Sequence, residues 1–366
     1  MPMSFHAKRR DKLTRLLKKS GADACLITNP INVTYLTGFS GDSTYLLLAP
    51  KLALLLSDTR YEEQLGEESP DIEARIRDSS LSMNALLSRE LKSAKVNSLA
   101  LESASLSYHN WQSLATVLES IDLVPTENWV EDLRAIKDKQ ELEEIRRSIH
   151  LAERSFQVIR ASLRGEQTER QIAHNLEHQI RTFGGVKCAF EPIVGVGSRA
   201  ALPHAIPTER TISESPFVLI DWGARAGLYT SDLTRVLVTG KTNAKFAKIY
   251  QTVLEAQLAA IQAIRPGVKA SEVDRAARKV IEDAGFGKNF GHGLGHGFGL
   301  EIHEQPRMSP MNPAELQAGM VITVEPGIYL AGWGGVRIED DILVTSDGHE
   351  VLTSVPKQLD ECYVAL

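Results

Sequence analysis

The chain has 366 residues, 43% of them hydrophobic, with 41 basic against 47 acidic side chains and a formal net charge of −6. That balance gives nucleic acid no electrostatic foothold, and the length predicts two domains with ample apolar material for their cores. Three cysteines far apart in the chain (Cys25, Cys188 and Cys362) build no disulfide framework and predict a reducing, cytoplasmic setting.

The N-terminal stretch FHAKRRDKLTRLLKKS is basic. Leu13, Leu16 and Leu17 nevertheless form one narrow apolar stripe, which predicts an ordinary amphipathic helix. No apolar run of signal-peptide type follows it. The most apolar segment, YLLLAPKLALLL, is interrupted by Pro50-Lys51 and is too short to span a bilayer, so it predicts a hairpin of two buried strands. ADACLITN, IEARIRD and NSLALES read as further strands among helix-like runs. Residues 1–125 therefore predict an α/β domain with a mixed sheet and no chemical constellation. Leu133, Ile136, Leu142, Ile145 and Ile149 then recur at helical spacing through the charged segment 131–164. The boundary is expected near residues 126–135, dividing the chain into 1–130 and 131–366.

In FVLIDWGARAGLYTSDLTRVLV, two strand-like runs flank a short connection ending in Gly227. Folding about Ala226-Gly227 pairs Asp221 with Asp232, on one face of the hairpin. Two opposed anions are unfavourable there unless a cation lies between them; a register differing by one would instead leave both solvated. In NFGHGLGHGFGLEIHEQPR, His292, His296 and His303 fall within twelve residues, interleaved with glycines. Glycines so dense argue against a helix and predict an extended segment where backbone approaches a ligand closely. A phosphate cradle fits poorly, because no strand precedes the segment and no helix opens after it. MVITVEPGIYLAGWGGVRIEDDILV predicts another hairpin. Glu325 ends its first run and Glu339 interrupts its second, where a carboxylate is rarely buried unless paired or bound to metal. Which of Glu339, Asp340 and Asp341 points inward is open at this level.

In order and flanks, the two spaced aspartates, GHGLGHGFGLEIHE, TVEPGIY and GGVRIEDD resemble the pita-bread metallopeptidases, over roughly residues 140–366. These include methionine aminopeptidase, Xaa-Pro aminopeptidase and Xaa-Pro dipeptidase. FEPIVGVGSRAALPHAIPT resembles the segment ahead of the first metal ligand and brings in His204. The resemblance implies an α+β fold, with a pita-bread catalytic domain preceded by a smaller creatinase-like α/β domain that simple methionine aminopeptidases lack. It also implies five metal ligands: Asp221, Asp232, His296, Glu325 and Glu339, with Asp232 and Glu339 bridging two ions. His204, His292 and His303 would line the substrate site, and Arg337 would support it by hydrogen bonds. Catalysis would fall to Glu325 as ligand and proton shuttle, assisted by His303 and His204. Oxygen-rich ligation with one imidazole suits manganese, and would also take cobalt or zinc. Two such ions can ionise a water and polarise a scissile carbonyl.

The Xaa-Pro branch implies short proline-containing peptides as substrates, a homodimer, and neither membrane nor nucleic-acid partners. The preferred expectation is an Xaa-Pro aminopeptidase, with a dipeptidase as the alternative. Arg307 is the candidate clamp for a dipeptide carboxylate, since guanidinium pairs bidentately with that group. A metal-free creatinase-like hydrolase or a silent binding protein fits less well, because no ligand position is replaced.

Overall fold

The structure is a computed structural model that describes residues 4–366. The chain divides into two compact units, one ending at Arg134 and the other spanning Ala135–Leu366. Among the described residues no helix is long and apolar enough to cross a membrane.

The first unit is a six-stranded mixed sheet with helices. Its strands are β1 (Ala24–Ile27), β2 (Tyr45–Ala49), β3 (Leu52–Asp58), β4 (Glu73–Arg77), β5 (Ser98–Glu102) and β6 (Asp122–Thr126), in the order β4-β3-β2-β1-β5-β6. YLLLAPKLALLL forms the expected hairpin, with Ala49 opposite Leu52 across Pro50-Lys51. The pairs β1–β5, β5–β6 and β3–β4 are parallel, and such strands need apolar cover. The helices are α1 (Phe5–Ser20), α2 (Pro30–Thr37), α3 (Glu62–Glu68), α4 (Met83–Ser93), α5 (Tyr108–Val117) and α6 (Trp129–Ala135). Ser4 Oγ caps α1, and the predicted stripe delivers Leu13 and Leu17 fully buried. β6 escaped the sequence reading because DLVPT carries a proline and no alternation.

The single helix expected over 131–164 is two helices, α6 and α7 (Lys139–Ala161). The break lies at Ile136-Lys137-Asp138, where Asp138 and Glu141 form a capping box that starts α7. That Asp-x-x-Glu signal was present in the sequence beneath the continuous apolar spacing.

The second unit continues with α8 (Glu169–Thr182), β7 (Lys187–Cys188), β8 (Ile193–Val196), β9 (Phe217–Trp222), β10 (Ala224–Ala226), β11 (Tyr229–Thr230) and β12 (Leu233–Val238). After α9 (Ala244–Ala263) and α10 (Ala270–Asp283) come β13 (Gly295–Gly297), β14 (Glu304–Met308), β15 (Val321–Val324), β16 (Gly327–Leu330), β17 (Gly334–Arg337), β18 (Asp340–Val344) and β19 (His349–Val351). In the sheet β12-β9-β8, alternation sends Val218, Ile220 and Trp222 into a core shared with α7 and α8. Phe217 and Leu219 enter a second core built with α9 and α10. Asp221 follows the same alternation onto the face of Phe217 and Leu219.

The first hairpin forms, but its register differs from the expected one. Ala226 pairs with Tyr229 and Asp221 with Thr234, so the chain turns about Gly227-Leu228. Gly227 has φ +56°, the left-handed value that two-residue hairpin turns require. Moving the turn by one residue moves every partner by two, which preserves the face. Asp221 and Asp232 are therefore diagonal rather than opposed, and still on one side.

Candidate metal centre

The first hairpin interrupts its ladder at Asp232 and the second at Glu325 and Glu339, whereas Asp221 stays in the β9–β12 ladder opposite Thr234. Between β9 and β12, a Cβ on Gly223 would lie 1.9 Å from the Ser231 carbonyl oxygen, so only glycine fits. There the Ala224 N–H donates to Ser231 Oγ (3.1 Å), and the Asp232 N–H turns to Asp341 Oδ2 (3.3 Å). In the second hairpin Val324 opposes Asp340 and Gly327 opposes Arg337, which sets Glu325 across from Glu339 in the same frame. Their backbones do not bond each other. The Glu325 N–H donates to the Leu294 carbonyl (2.8 Å) and the Glu339 N–H to the Thr234 carbonyl (3.2 Å).

These diversions converge the side chains. Carboxylate oxygens of Asp221, Asp232 and Glu339 lie within 4.8 Å of one another, all three residues buried. His296 sits on β13 between Gly295 and Gly297, whose added Cβ atoms would meet the Thr323 and Gln305 carbonyl oxygens at 2.2 and 2.1 Å. Its Nδ1 is 3.1 Å from the Gly297 carbonyl, so that nitrogen carries the proton and donates it. Nε2 then presents a bare lone pair 3.4 Å from Glu325 Oε1 and 3.6 Å from Asp232 Oδ2.

Burial pushes Asp232 well above the usual carboxylate range, reinforced by Glu339, Asp221 and Glu325. Glu339 is raised in the same way by burial and then by Glu325 and Asp221, and burial lifts Glu325 to about 7. Burial also lowers His296 to about 3, keeping it neutral. Asp221 Oδ1 is buried without a hydrogen-bond partner. A neutral imidazole lone pair aimed at carboxylates, with an orphaned carboxylate oxygen beside them, is the donor set of a cation site. Oxygen donors with one imidazole fit a divalent ion, and the Nδ1–H···carbonyl bond is the usual way a ligating histidine is oriented.

Of the three acids left unresolved in sequence, Glu339 faces this cluster and accepts from Thr234 Oγ1 (2.6 Å). Asp340 points away into Arg235 (2.6 Å), Gln257 (2.7 Å), Thr353 (2.7 Å) and Lys357. Arg337 is 2% exposed, and its guanidinium donates to Asp221 Oδ2, Thr234 Oγ1 (3.0 Å), Tyr329 Oη (2.9 Å) and the Pro203 carbonyl (3.4 Å). These protein acceptors occupy its fork, as a residue supporting the site by hydrogen bonds requires.

His292 lines the cavity with its ring turned to protein groups. Its Nδ1 lies 2.7 Å from the Gly293 carbonyl and its Nε2 2.9 Å from Tyr329 Oη, so both nitrogens are committed. Burial holds it neutral, at about 4. Tyr329 thus donates to His292 and accepts from Arg337. Sequence reasoning missed it, although GIY stood inside a motif it quoted, and missed Thr234 altogether.

A cavity of about 780 Å³ opens from the cluster, within the size range of small-molecule sites. Phe190, Pro192, Ile206 and Ile302 supply apolar wall, with His204, His303 and Arg307 among its other lining residues. The His303 ring stands edge-on to His296, with centroids 4.4 Å apart. Burial and the charge of Arg307 lower its pKa. Arg307 lies directly opposite His296 on β14 and makes no ion pair among the described residues. Cys25, Cys188 and Cys362 are buried free thiols.

Residues 143–346 match the model of metallopeptidase family M24, and residues 9–136 match that of the creatinase/prolidase N-terminal domain. An Xaa-Pro dipeptidase of Pyrococcus furiosus is 35% identical, over 96% of this chain and 99% of its own. Among solved structures, an Xaa-Pro dipeptidase from Bacillus anthracis is 34% identical with a TM-score of 0.93, covering 99% of this chain and 100% of that one. An X-Pro aminopeptidase from Thermotoga maritima is 33% identical with a TM-score of 0.89, covering 97% and 100%.

Proposed function

The chain belongs to metallopeptidase family M24, and from that premise we propose that it removes the N-terminal residue from short peptides by hydrolysing an Xaa-Pro bond. Asp221, Asp232, His296, Glu325 and Glu339 would hold two divalent ions. The observation that carries this is the neutral His296 Nε2 facing Asp232 and Glu325 at 3.6 and 3.4 Å. Manganese is the ion this donor set suits, with cobalt or zinc also acceptable. When bound, two such ions supply Lewis-acid activation of water and of the scissile carbonyl.

The protein's own groups do the rest. Glu325 accepts a proton from the attacking water and passes it to the departing proline nitrogen. That nitrogen carries no N–H in the substrate amide, so the site must grip the peptide elsewhere. His303 and His204, which line the cavity, donate to the carbonyl oxygen as charge develops on it. Arg337 fixes Asp221, and Tyr329 extends that support to His292. A homodimer and a reducing cytoplasmic setting accompany the reading, the latter supported by three buried free cysteines.

One observation favours a dipeptidase as the second reading. Arg307 shares a face with His296, lines the cavity and has no ion-pair partner among the described residues, as a clamp for the carboxylate of a two-residue substrate would. Hydrolysis of Ala-Pro and Ala-Pro-Ala by manganese-loaded protein, beside a chelated control and Arg307→Met, separates the two. Cleavage of the tripeptide alone identifies the aminopeptidase. Cleavage of the dipeptide alone, with KM raised by Arg307→Met, identifies the dipeptidase. Metal-dependent cleavage of neither removes the proline assignment.

A further inference from the structure

Beside the metal-facing cluster lies a buried ion pair with no part in the chemistry above. Lys137 sits between α6 and α7, and Glu304 opens β14 immediately after His303. Their side chains are 0% and 5% exposed, and Lys137 Nζ lies 3.2 Å from Glu304 Oε2. Taking two such charges out of water costs several kcal/mol per ion, and apolar side chains of similar volume often do as well or better for stability. Geometry explains the pair better than stability does.

The Glu304 carboxylate is the hub of a tight loop. Its Oε1 accepts from the Glu301 N–H (3.1 Å) while Oε2 meets Lys137. The Gly299 N–H donates to the Glu301 carbonyl (2.9 Å), and the Gly299 carbonyl accepts from Thr230 N–H (2.8 Å) and Oγ1 (2.9 Å). A Cβ on Gly299 would sit 3.0 Å from Glu304 Oε2, so the loop closes directly on that carboxylate. His303 belongs to this loop, one residue before the hub.

Lys137 is itself fixed from a second side. Its N–H donates to the Gly319 carbonyl (2.8 Å), and the Gly319 N–H donates to the Val344 carbonyl (2.9 Å). Gly319 has φ +93°, and an added Cβ would lie 3.1 Å from Ile136 Cγ2 and 3.3 Å from the Lys137 carbonyl oxygen. From this turn β15 runs directly to Glu325. One residue thus ties the strand leading to Glu325 to the loop that carries His303.

We propose that Lys137, acting through Glu304, is a positioning residue that sets the His303 imidazole relative to Glu325 and the metal-facing carboxylates. The inference rests on the role given to His303 in the proposed reaction. Misplacing a catalytic group by about 1 Å costs on the order of 100-fold in rate, so losing the pair should cost about 10- to 100-fold in kcat.

The test is a double-mutant cycle on the metal-loaded full chain. Lys137→Met is measured alone and with His303→Ala, and Lys137→Arg is the conservative variant, using whichever of Ala-Pro and Ala-Pro-Ala is cleaved. Metal affinity is read by calorimetry on the same samples. Lys137→Met is expected to lower kcat while metal affinity holds, Lys137→Arg to restore part of it, and Lys137→Met to add no loss once His303 is absent. An equal fractional loss in both backgrounds, or metal affinity falling in step with kcat, overturns the proposal and makes the pair a structural one. An unchanged kcat in His303→Ala alone refutes the role of His303 itself, a separate failure that also removes the proposal. Should Lys137→Met fail to fold, Lys137→Met with Glu304→Leu removes both charges together and carries the same comparison.

Discussion

Removing the metal should leave a protein whose stability falls as the pH rises, the reverse of what an acidic chain with ordinary carboxylates would do. Glu325 moves from 4.5 to about 7 in the fold, and Asp232 and Glu339 are raised further by burial and mutual repulsion. A raised folded-state pKa means that the metal-free fold keeps protons that the unfolded chain releases. Such stabilisation is complete below the unfolded value and is lost as the pH climbs through the folded one. Below 6.5 the buried neutral histidines oppose this trend, because His296 (about 3) and His292 (about 4) stay unprotonated while their unfolded counterparts charge. Their opposition has largely faded by pH 7, so the window is pH 7 to 8. Across it Glu325 alone accounts for about 0.4 kcal/mol, the two histidines offset about 0.3 kcal/mol, and Asp232 and Glu339 act in the same direction as Glu325, by up to about 1.4 kcal/mol each. Urea unfolding of chelator-treated protein at pH 7 and 8 should show a loss of about 1 kcal/mol or more. Manganese should abolish it, because the ions take the place of the protons. A metal-free protein equally or more stable at pH 8 would refute the argument, since the carboxylates would then be ionised and satisfied without a cation.

Two substitutions probe the same centre. Glu325→Gln should lower kcat by on the order of 100-fold or more with the circular dichroism spectrum unchanged, and near-native turnover would exclude Glu325 as the proton carrier. Arg337→Met strips Asp221 of its buried guanidinium and Tyr329 of its donor, so calorimetric metal affinity should fall about 10- to 100-fold; an unchanged affinity would mean that Asp221 holds its position without Arg337.

What the sequence disclosed and what it withheld divide along a physical line. Strands, hairpins and the Gly-rich segment around His296 are local, and their alternation and turn residues announced them. Local pattern singled out Asp221, Asp232, Glu325, a trio of histidines and a run of three acids; choosing His296 and Glu339 among them took the family resemblance. The exact turn at Gly227 was not legible, because Ala226-Gly227 and Gly227-Leu228 are equally short connections; only the positive φ of Gly227 decides between them. The partners were not legible either. Nothing in GIY or LTRV states that Tyr329 will stand between Arg337 and His292, or that Thr234 will bond both Arg337 and Glu339. Those are relations between different segments, up to about a hundred residues apart for Thr234. They name the groups through which Arg337 supports the site and orient the His292 ring at the cavity wall.

The cluster also explains where the second unit's hairpins break. A continuous ladder would have bonded Glu325 to Glu339 and carried the β9–β12 pairing through Asp232. Instead the Glu325 N–H goes to Leu294, the Glu339 N–H to Thr234 and the Asp232 N–H to Asp341. These three residues thus give their N–H groups to segments remote in sequence, while Asp221 stays in its ladder opposite Thr234, and three separate stretches of chain meet at the carboxylates. A point where backbone pairing is surrendered and four acids converge is the least self-sufficient part of the unit. Divalent ions there would neutralise the acids and cross-link the same stretches, so metal binding and cohesion of the fold should be read as one equilibrium.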